Sequence, residues 1–193
     1  MNQSSSNSEL KWVLKQVATV LNREKITWGI GASCLLDYYH ILEKPPRDVD
    51  ILIKLSDAEH ADVTLSGLGK KQVWEASEKY ATKYFLEYVI DGVEIDAMAG
   101  MTIVRNKFHY TYPFDERGIC GYWNLDGIEI PLTSLSDWYV LYLIMGREAR
   151  AEQISDYLKG IKTRELNLIK VEDLPNEIIG QVEGFMKGEA FND

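Results

Sequence analysis

The sequence predicts an α+β protein, a mixed β-sheet flanked by helices and followed by a small helical C-terminal part. Three observations carry that expectation. The stretches DVDILI (48–53) and VEIDAM (93–98) alternate acidic and aliphatic residues, the period of a half-buried strand. Two Asp-Gly pairs, Asp91-Gly92 and Asp126-Gly127, each lie between strand-like runs, and Asp-Gly tolerates the positive φ angles of a type I′ hairpin turn. From Ser134 onward, Leu135, Trp138, Leu141, Tyr142 and Met145 fall at helical spacing.

Taken in order, the opening MNQSSSNS is polar and reads as a tail over residues 1–8. Leu10, Val13, Leu14, Val17, Val20 and Leu21 then repeat at helical spacing, with Ser6 or Ser8 as a cap. Residues 26–30 read as a short strand ending among Gly29 and Gly31. Residues 33–43 read as a helix stopped by Pro45 and Pro46, since proline lacks the N–H and clashes with the preceding turn. A strand over 48–53 and a helix over 57–69 follow. Hairpins are expected over 83–90 with 93–97, and between CGYWNL and IEIPL. After the helix at 134, shorter helices are expected over 149–160, 163–170 and 175–187. The implied organisation is a core over 9–132 and a helical part over 133–193.

Composition narrows the function classes. The 193 residues suit one domain, with or without a small helical appendage, and 46% hydrophobic residues is ordinary for a globular chain. No apolar run approaches the roughly 20 residues that cross a membrane. The N-terminus shows no basic segment followed by an apolar one, so it does not read as a secretion signal. Cys34 and Cys120 alone imply neither a disulfide framework nor a zinc cluster, and His40, His60 and His109 share no ligand spacing. A cytoplasmic location is the expectation. The net charge of −9 argues against broad nucleic-acid binding, which rests on clustered Lys and Arg.

The carboxylates are the informative feature. Alternate strand residues share a face and rise about 3.3 Å each, so Asp48 and Asp50 project together about 7 Å apart at their Cα atoms. Two like charges at that distance repel by ~2 kcal/mol at an effective dielectric of ~20. In VEIDAM, Glu94 and Asp96 repeat the pattern, with Val93, Ile95 and Ala97 on the opposite face. If the two strands are neighbours, their acidic faces coincide over an apolar layer that fixes the register. Such a cluster suits magnesium, which takes carboxylates, phosphate oxygens and water.

The turn Gly31-Ala32-Ser33 lies between a strand and a helix, where free N–H groups and the helix dipole favour phosphate. It is not a P-loop, because Lys and Ser/Thr do not follow at the required positions. The ordered set of turn, helix, carboxylate pair and later carboxylate resembles the DNA polymerase beta-type nucleotidyltransferase superfamily, through GAS at 31–33, DVD at 48–50 and Asp96 of EIDA. GASCLLDYYHILEKPPRDVDILI looks like the corresponding segment of small bacterial aminoglycoside and lincosamide nucleotidyltransferases, and IEIPLTSLSDWYVLYLIMGREAR resembles the start of their C-terminal helices. The resemblance spans about residues 26–155, densely only at the motifs. It departs from the family's pattern at Ala32, where a second glycine is usual, and at Tyr142, where a lysine is common. Glu148, Ala149 and Arg150 stand where a Lys-Asp pair often follows the Gly-Arg.

The resemblance implies a magnesium-dependent transfer of a nucleoside monophosphate, from a triphosphate such as ATP to a hydroxyl of a small acceptor. Asp48 and Asp50 would hold magnesium, and Asp96 would share a second ion or act as base. Gly31, Ala32 and Ser33 would take the phosphates, with Lys44 and Arg47 adding charge there or lying solvated at the surface. Glu94 would serve the acceptor or lie solvated beside the site. Phe108, His109, Tyr110, Tyr112, Tyr122 and Trp123 would form an aromatic wall for the acceptor, or pack within strands, as their β propensity also allows. Other readings are a toxin–antitoxin type nucleotidyltransferase acting on tRNA or protein, and a non-catalytic nucleotide-binding relative. The intact Asp48, Asp50 and Asp96 speak against the last.

Overall fold

The computed structural model describes residues 3–73, 79–161 and 164–189. Among these residues, six helices accompany a seven-stranded mixed sheet and a two-stranded sheet. The chain runs α1 (Gln3–Arg23), β1 (Trp28–Ile30), α2 (Ala32–Tyr38), β2 (Asp48–Ile53), α3 (Ala58–Ser66), β3 (Lys70–Lys71), β4 (Tyr84–Ile90) and β5 (Val93–Ala99). It continues through β6 (Thr102–Arg105), β7 (Phe108–Thr111), β8 (Ile119–Leu125), β9 (Ile128–Thr133), α4 (Leu135–Ile144), α5 (Glu148–Tyr157) and α6 (Asn176–Met186). The large sheet has the order β3-β4-β5-β2-β1-β9-β8. The pairs β2–β5 and β1–β9 are parallel and the others antiparallel.

The strand β2 has the expected bounds, and Val49, Ile51 and Ile53 are buried. Both Asp-Gly hairpins form. Asp91 and Gly92 have φ of 49° and 83°, and Asp126 and Gly127 have 51° and 87°, the left-handed pair that a type I′ turn requires. The helix α4 opens on Ser134, whose hydroxyl accepts from the Asp137 N–H. Nine of its ten residues are buried, as suits a helix that is apolar all round.

Several expectations give way. The helix α1 begins at Gln3, so the supposed tail is largely helical and Ser6 and Ser8 lie inside the helix instead of capping it. The first strand is shortened to Trp28–Ile30. The helix α2 ends at Tyr38, well before the prolines. His40 takes a φ of 57°, and bonds from Ile41 N to Leu36 O and from His40 N to Asp37 O close its last turn. The stretch expected to be helical over 57–69 divides into a 3₁₀ turn, Leu55–Asp57, and α3.

No helix forms over 164–170, the described part of the expected 163–170 helix. Its N–H groups are engaged elsewhere: those of Asn167 and Leu168 donate to the buried Asp137 carboxylate at 2.8 and 3.0 Å. The β6–β7 hairpin was not foreseen, because its turn uses Asn106 and Lys107 at positive φ without a glycine. No helix among the described residues is long and apolar enough to cross a membrane.

Candidate active site

The parallel pairing of β2 with β5 sets Asp48 opposite Glu94 and Asp50 opposite Asp96. Neighbouring strands lie about 4.8 Å apart, so the acidic faces of the two segments form one surface. The register is held from behind by Val49, Ile51, Ile95 and Ala97, each without exposed surface. On the far side, β4 places Glu87 opposite Asp96.

Above this face lies a cleft of about 300 Å³. Asp48, Asp50 and Asp96 line it, together with Ala32 and Ser33 from the start of α2 and Arg147 and Arg150 from the start of α5. Tyr80, Phe85, Tyr142 and three methionines make up most of its apolar wall. Burial, then the charges of Asp48 and Asp96, push the Asp50 carboxyl up to about 8, against the pull of Arg147 and the Ser33 hydroxyl. Burial raises Asp96 to about 6, with Glu87, Asp48 and Glu94 adding repulsion. The cleft thus concentrates negative charge that its own cations do not fully neutralise. An all-oxygen donor set strained in this way fits a hard divalent ion. Among the described residues, no three potential ligands are gathered closely enough to chelate an ion as they stand.

The Gly31 N–H is committed to the Asp50 carbonyl at 3.0 Å, which ties the turn to β2. A phosphate would therefore find the N–H groups of Ala32 and Ser33 and the Ser33 hydroxyl, which donates to Asp50 Oδ2 at 3.5 Å. The glycine at 31 has a steric reason as well. A Cβ there would come within 2.2 Å of Trp138 Cζ2. That indole is itself fixed: its N–H donates to Thr133 Oγ1 at 2.8 Å, and the Thr133 hydroxyl donates to the Ile30 carbonyl at 2.7 Å. Ala32 sits at φ 42°, the left-handed region that glycine enters without penalty.

Lys44 and Arg47 are exposed and are not among the residues lining the cleft. The cations that do line it are Arg147 and Arg150. Gly146, at φ 68°, ends α4 with bonds from Arg147 N to Tyr142 O and from Gly146 N to Leu143 O. Arg147 Nη2 then donates to the Tyr80 hydroxyl at 3.3 Å. The signal for this placement is a glycine directly after an apolar helix and directly before an arginine.

Tyr142 is buried, and burial with the Asp50 charge keeps its phenol well above its ordinary range. The aromatic segment does not form one wall. Phe108, His109 and Tyr110 line a separate groove of about 740 Å³, and Tyr112 is buried and donates to Asp137 Oδ2 at 2.7 Å. Tyr122 is exposed, while Trp123 packs beside Tyr38. Cys34 is buried, with its thiol pushed up by burial. Glu94 is exposed at the edge of the acidic face.

No protein-family profile and no curated protein matches the chain. Solved structures do. A Thermotoga maritima protein named as a nucleotidyltransferase is 25% identical, with a TM-score of 0.56 over 76% of this chain and 90% of that one. The antibiotic-resistance factor ANT(2'')-Ia has a TM-score of 0.57 at 9% identity, covering 93% of this chain and 91% of its own. The lincosamide adenylyltransferase LnuA, solved with lincomycin, has a TM-score of 0.50 at 14% identity, covering 78% and 96%. At 9 and 14% identity the likeness is one of fold. The structural neighbours are nucleotidyltransferases, antibiotic-modifying ones among them, as the motif resemblance implies.

Proposed function

We propose, for a chain whose fold is that of the nucleotidyltransferases, that it transfers a nucleoside monophosphate from a triphosphate to a hydroxyl of a small-molecule acceptor. The observation that carries this reading is the in-register meeting of Asp48 and Asp50 with Asp96 in a cleft that also holds Arg147 and Arg150.

Asp48, Asp50 and Asp96 would hold magnesium, two ions if Asp96 bridges to the pair. Magnesium bound there supplies positive charge to the triphosphate and lowers the pKa of an acceptor hydroxyl. The chain's own groups do the rest. Arg147 and Arg150 line the cleft with the carboxylates and would balance the triphosphate's charge, the role the sequence offered to Lys44 and Arg47. Ala32 and Ser33 would orient the phosphates through their N–H groups and the Ser33 hydroxyl. Asp96 would share a second ion or, where it holds none, take the proton of the acceptor hydroxyl. The methionine and aromatic wall would limit the water that reaches a bound phosphate.

ATP is the proposed donor, because a second structure of ANT(2'')-Ia is named as a complex with adenylyl-2''-tobramycin and LnuA is named an adenylyltransferase. Those names also specify tobramycin and lincomycin, which makes aminoglycosides and lincosamides the first acceptors to test.

The test is an assay with α-labelled triphosphates and magnesium against aminoglycosides, lincosamides, tRNA and the protein itself. Transfer from ATP to a small molecule is expected. Asp48→Asn and Asp50→Asn should each reduce it by at least ~10³-fold, about 4 kcal/mol of barrier, without changing the circular dichroism spectrum. Unchanged turnover in either variant would sink the metal assignment. Transfer only to tRNA or protein would replace the acceptor and keep the chemistry.

A further inference from the structure

The two ends of the large sheet are built differently. At one end, β3 is two residues long and both are exposed lysines, a common protection for a free edge. At the other end β8 runs for seven residues, ICGYWNL, without a charge or a proline. Tyr122 in its middle is 57% exposed.

The direction of the β8 backbone follows from its pairing. Tyr122 lies opposite Pro131 and Asn124 opposite Glu129. Proline has no N–H to exchange, so Tyr122 and Pro131 form a non-hydrogen-bonded pair, and pairs alternate along an antiparallel ladder. The β9 side agrees. The Glu129 carbonyl accepts from Asn22 Nδ2 at 2.8 Å, and the Pro131 carbonyl lies 3.4 Å from where a Cβ on Gly29 would sit. Both carbonyls therefore turn away from β8. It follows that Tyr122 and Asn124 turn their N–H and C=O groups away from β9, toward the open edge.

Among the described residues, the Ile119 N–H donates to the Glu116 carbonyl, and no backbone bond from outside the β8–β9 ladder reaches 120–125. Among the described residues, side-chain hydrogen bonds cover the start of the strand. There the Asn167 side-chain amide donates to the Arg117 carbonyl and to Cys120 Sγ.

We propose that a second copy of this chain occupies this edge, β8 pairing antiparallel with β8 across a two-fold axis through Trp123. Tyr122 of each copy then faces Asn124 of the other. Each such pair exchanges two N–H···O bonds, and the axis generates the pair twice. The strand itself carries no charge to repel its own copy, with Lys11 Nζ 5.8 Å from the centroid of the Trp123 ring the cation beside it, whereas both residues of the edge at β3 are lysines. The bulge between Ile119 and Gly121 and the Asn167 cover confine the pairing to the second half of the strand. The resulting contact is isologous and closes at two copies.

The test uses the full chain. Sedimentation and light scattering from ~1 to ~100 µM should show a reversible dimer, with dimer growing by mass action. Hydrogen exchange at the Tyr122 and Asn124 amides should slow ~10-fold or more at the higher concentration. The Trp123 amide, bonded within the ladder to Ile130, should not change. Tyr122→Pro removes an outward N–H and no ladder bond, and Tyr122→Lys sets like charges near the axis. Both should be monomeric at ~100 µM with an unchanged circular dichroism spectrum. If the proline variant fails to fold, the lysine variant decides alone. A monomer throughout, a dimer whose Tyr122 and Asn124 amides exchange unaltered, or a dimer that persists in the lysine variant overturns the proposal.

Discussion

Ala32 holds a backbone angle that its side chain resists. The φ of 42° puts its Cβ against the carbonyl that follows, a conformation costing about 1–2 kcal/mol in a residue other than glycine. Ala32→Gly relieves that cost but loses part of the gain to the greater freedom of glycine in the unfolded chain. A net stabilisation of up to ~1 kcal/mol is expected, seen as a melting temperature higher by about 2–4 °C. A lower melting temperature would show that the alanine methyl contributes packing worth more than the strain. The site's acids could be read at this scale because Asp48, Asp50 and Asp96 announce themselves by alternation with buried aliphatics. The arginines are marked only by the Gly146-Arg147 step after an apolar helix, which gives no sign of the carboxylates they join. Arg147 and Arg150 are brought to the cleft by the docking of α4 and the turn at Gly146, which no local pattern at Asp50 encodes. Lys44 and Arg47, close to the aspartates in sequence, point out to solvent.

At the scale of elements, one buried carboxylate substitutes for a helix. Asp137 has no exposed surface, and its oxygens accept from the Tyr112 hydroxyl and from the Asn167 and Leu168 N–H groups. Burial still raises its carboxyl above the usual range, and those donors pull against it. The helical pattern in residues 163–170 was misleading for this reason. Their amides satisfy a charge on α4 instead of their own carbonyls, and Arg164 stacks 4.8 Å from the Phe185 ring of α6. Asp137→Ala leaves three donors without their acceptor and should destabilise the protein by about 3–5 kcal/mol. Urea unfolding would measure it, and a loss below ~1 kcal/mol would mean the three contacts carry little. The Asp-Gly hairpins and β2 were legible because turn chemistry and a period of two agree with the tertiary pairing. The β6–β7 hairpin was hidden because Asn106 and Lys107 reach positive φ without glycine.

For the whole molecule, the acidic cleft links stability to pH and to metal. Asp50, at about 8, and Asp96, at about 6, are both raised above the ordinary carboxylate value. The folded state therefore keeps protons that the unfolded chain releases. The corresponding stability is fully present below about pH 4 and is lost as pH rises through about 6 and then about 8. Other carboxylates oppose this at the acid end, so the cleaner window is pH ~5 to ~8. There the metal-free protein should lose a few kcal/mol and Asp50→Asn should lose less. Magnesium should restore the melting temperature at pH ~8 more than at pH ~5, because it binds the ionised carboxylates. Thermal melts in chelator and in magnesium would decide, and a flat profile in both would contradict the electrostatic account of the cleft.

The indole of Trp138 has a bearing on how this chain can vary. It occupies the volume that any side chain at 31 would need. Substitution at one position is thus conditional on the residue at the other. A smaller side chain at 138 would lift the steric veto at 31, and a glycine there would then have to be explained by the ligand alone.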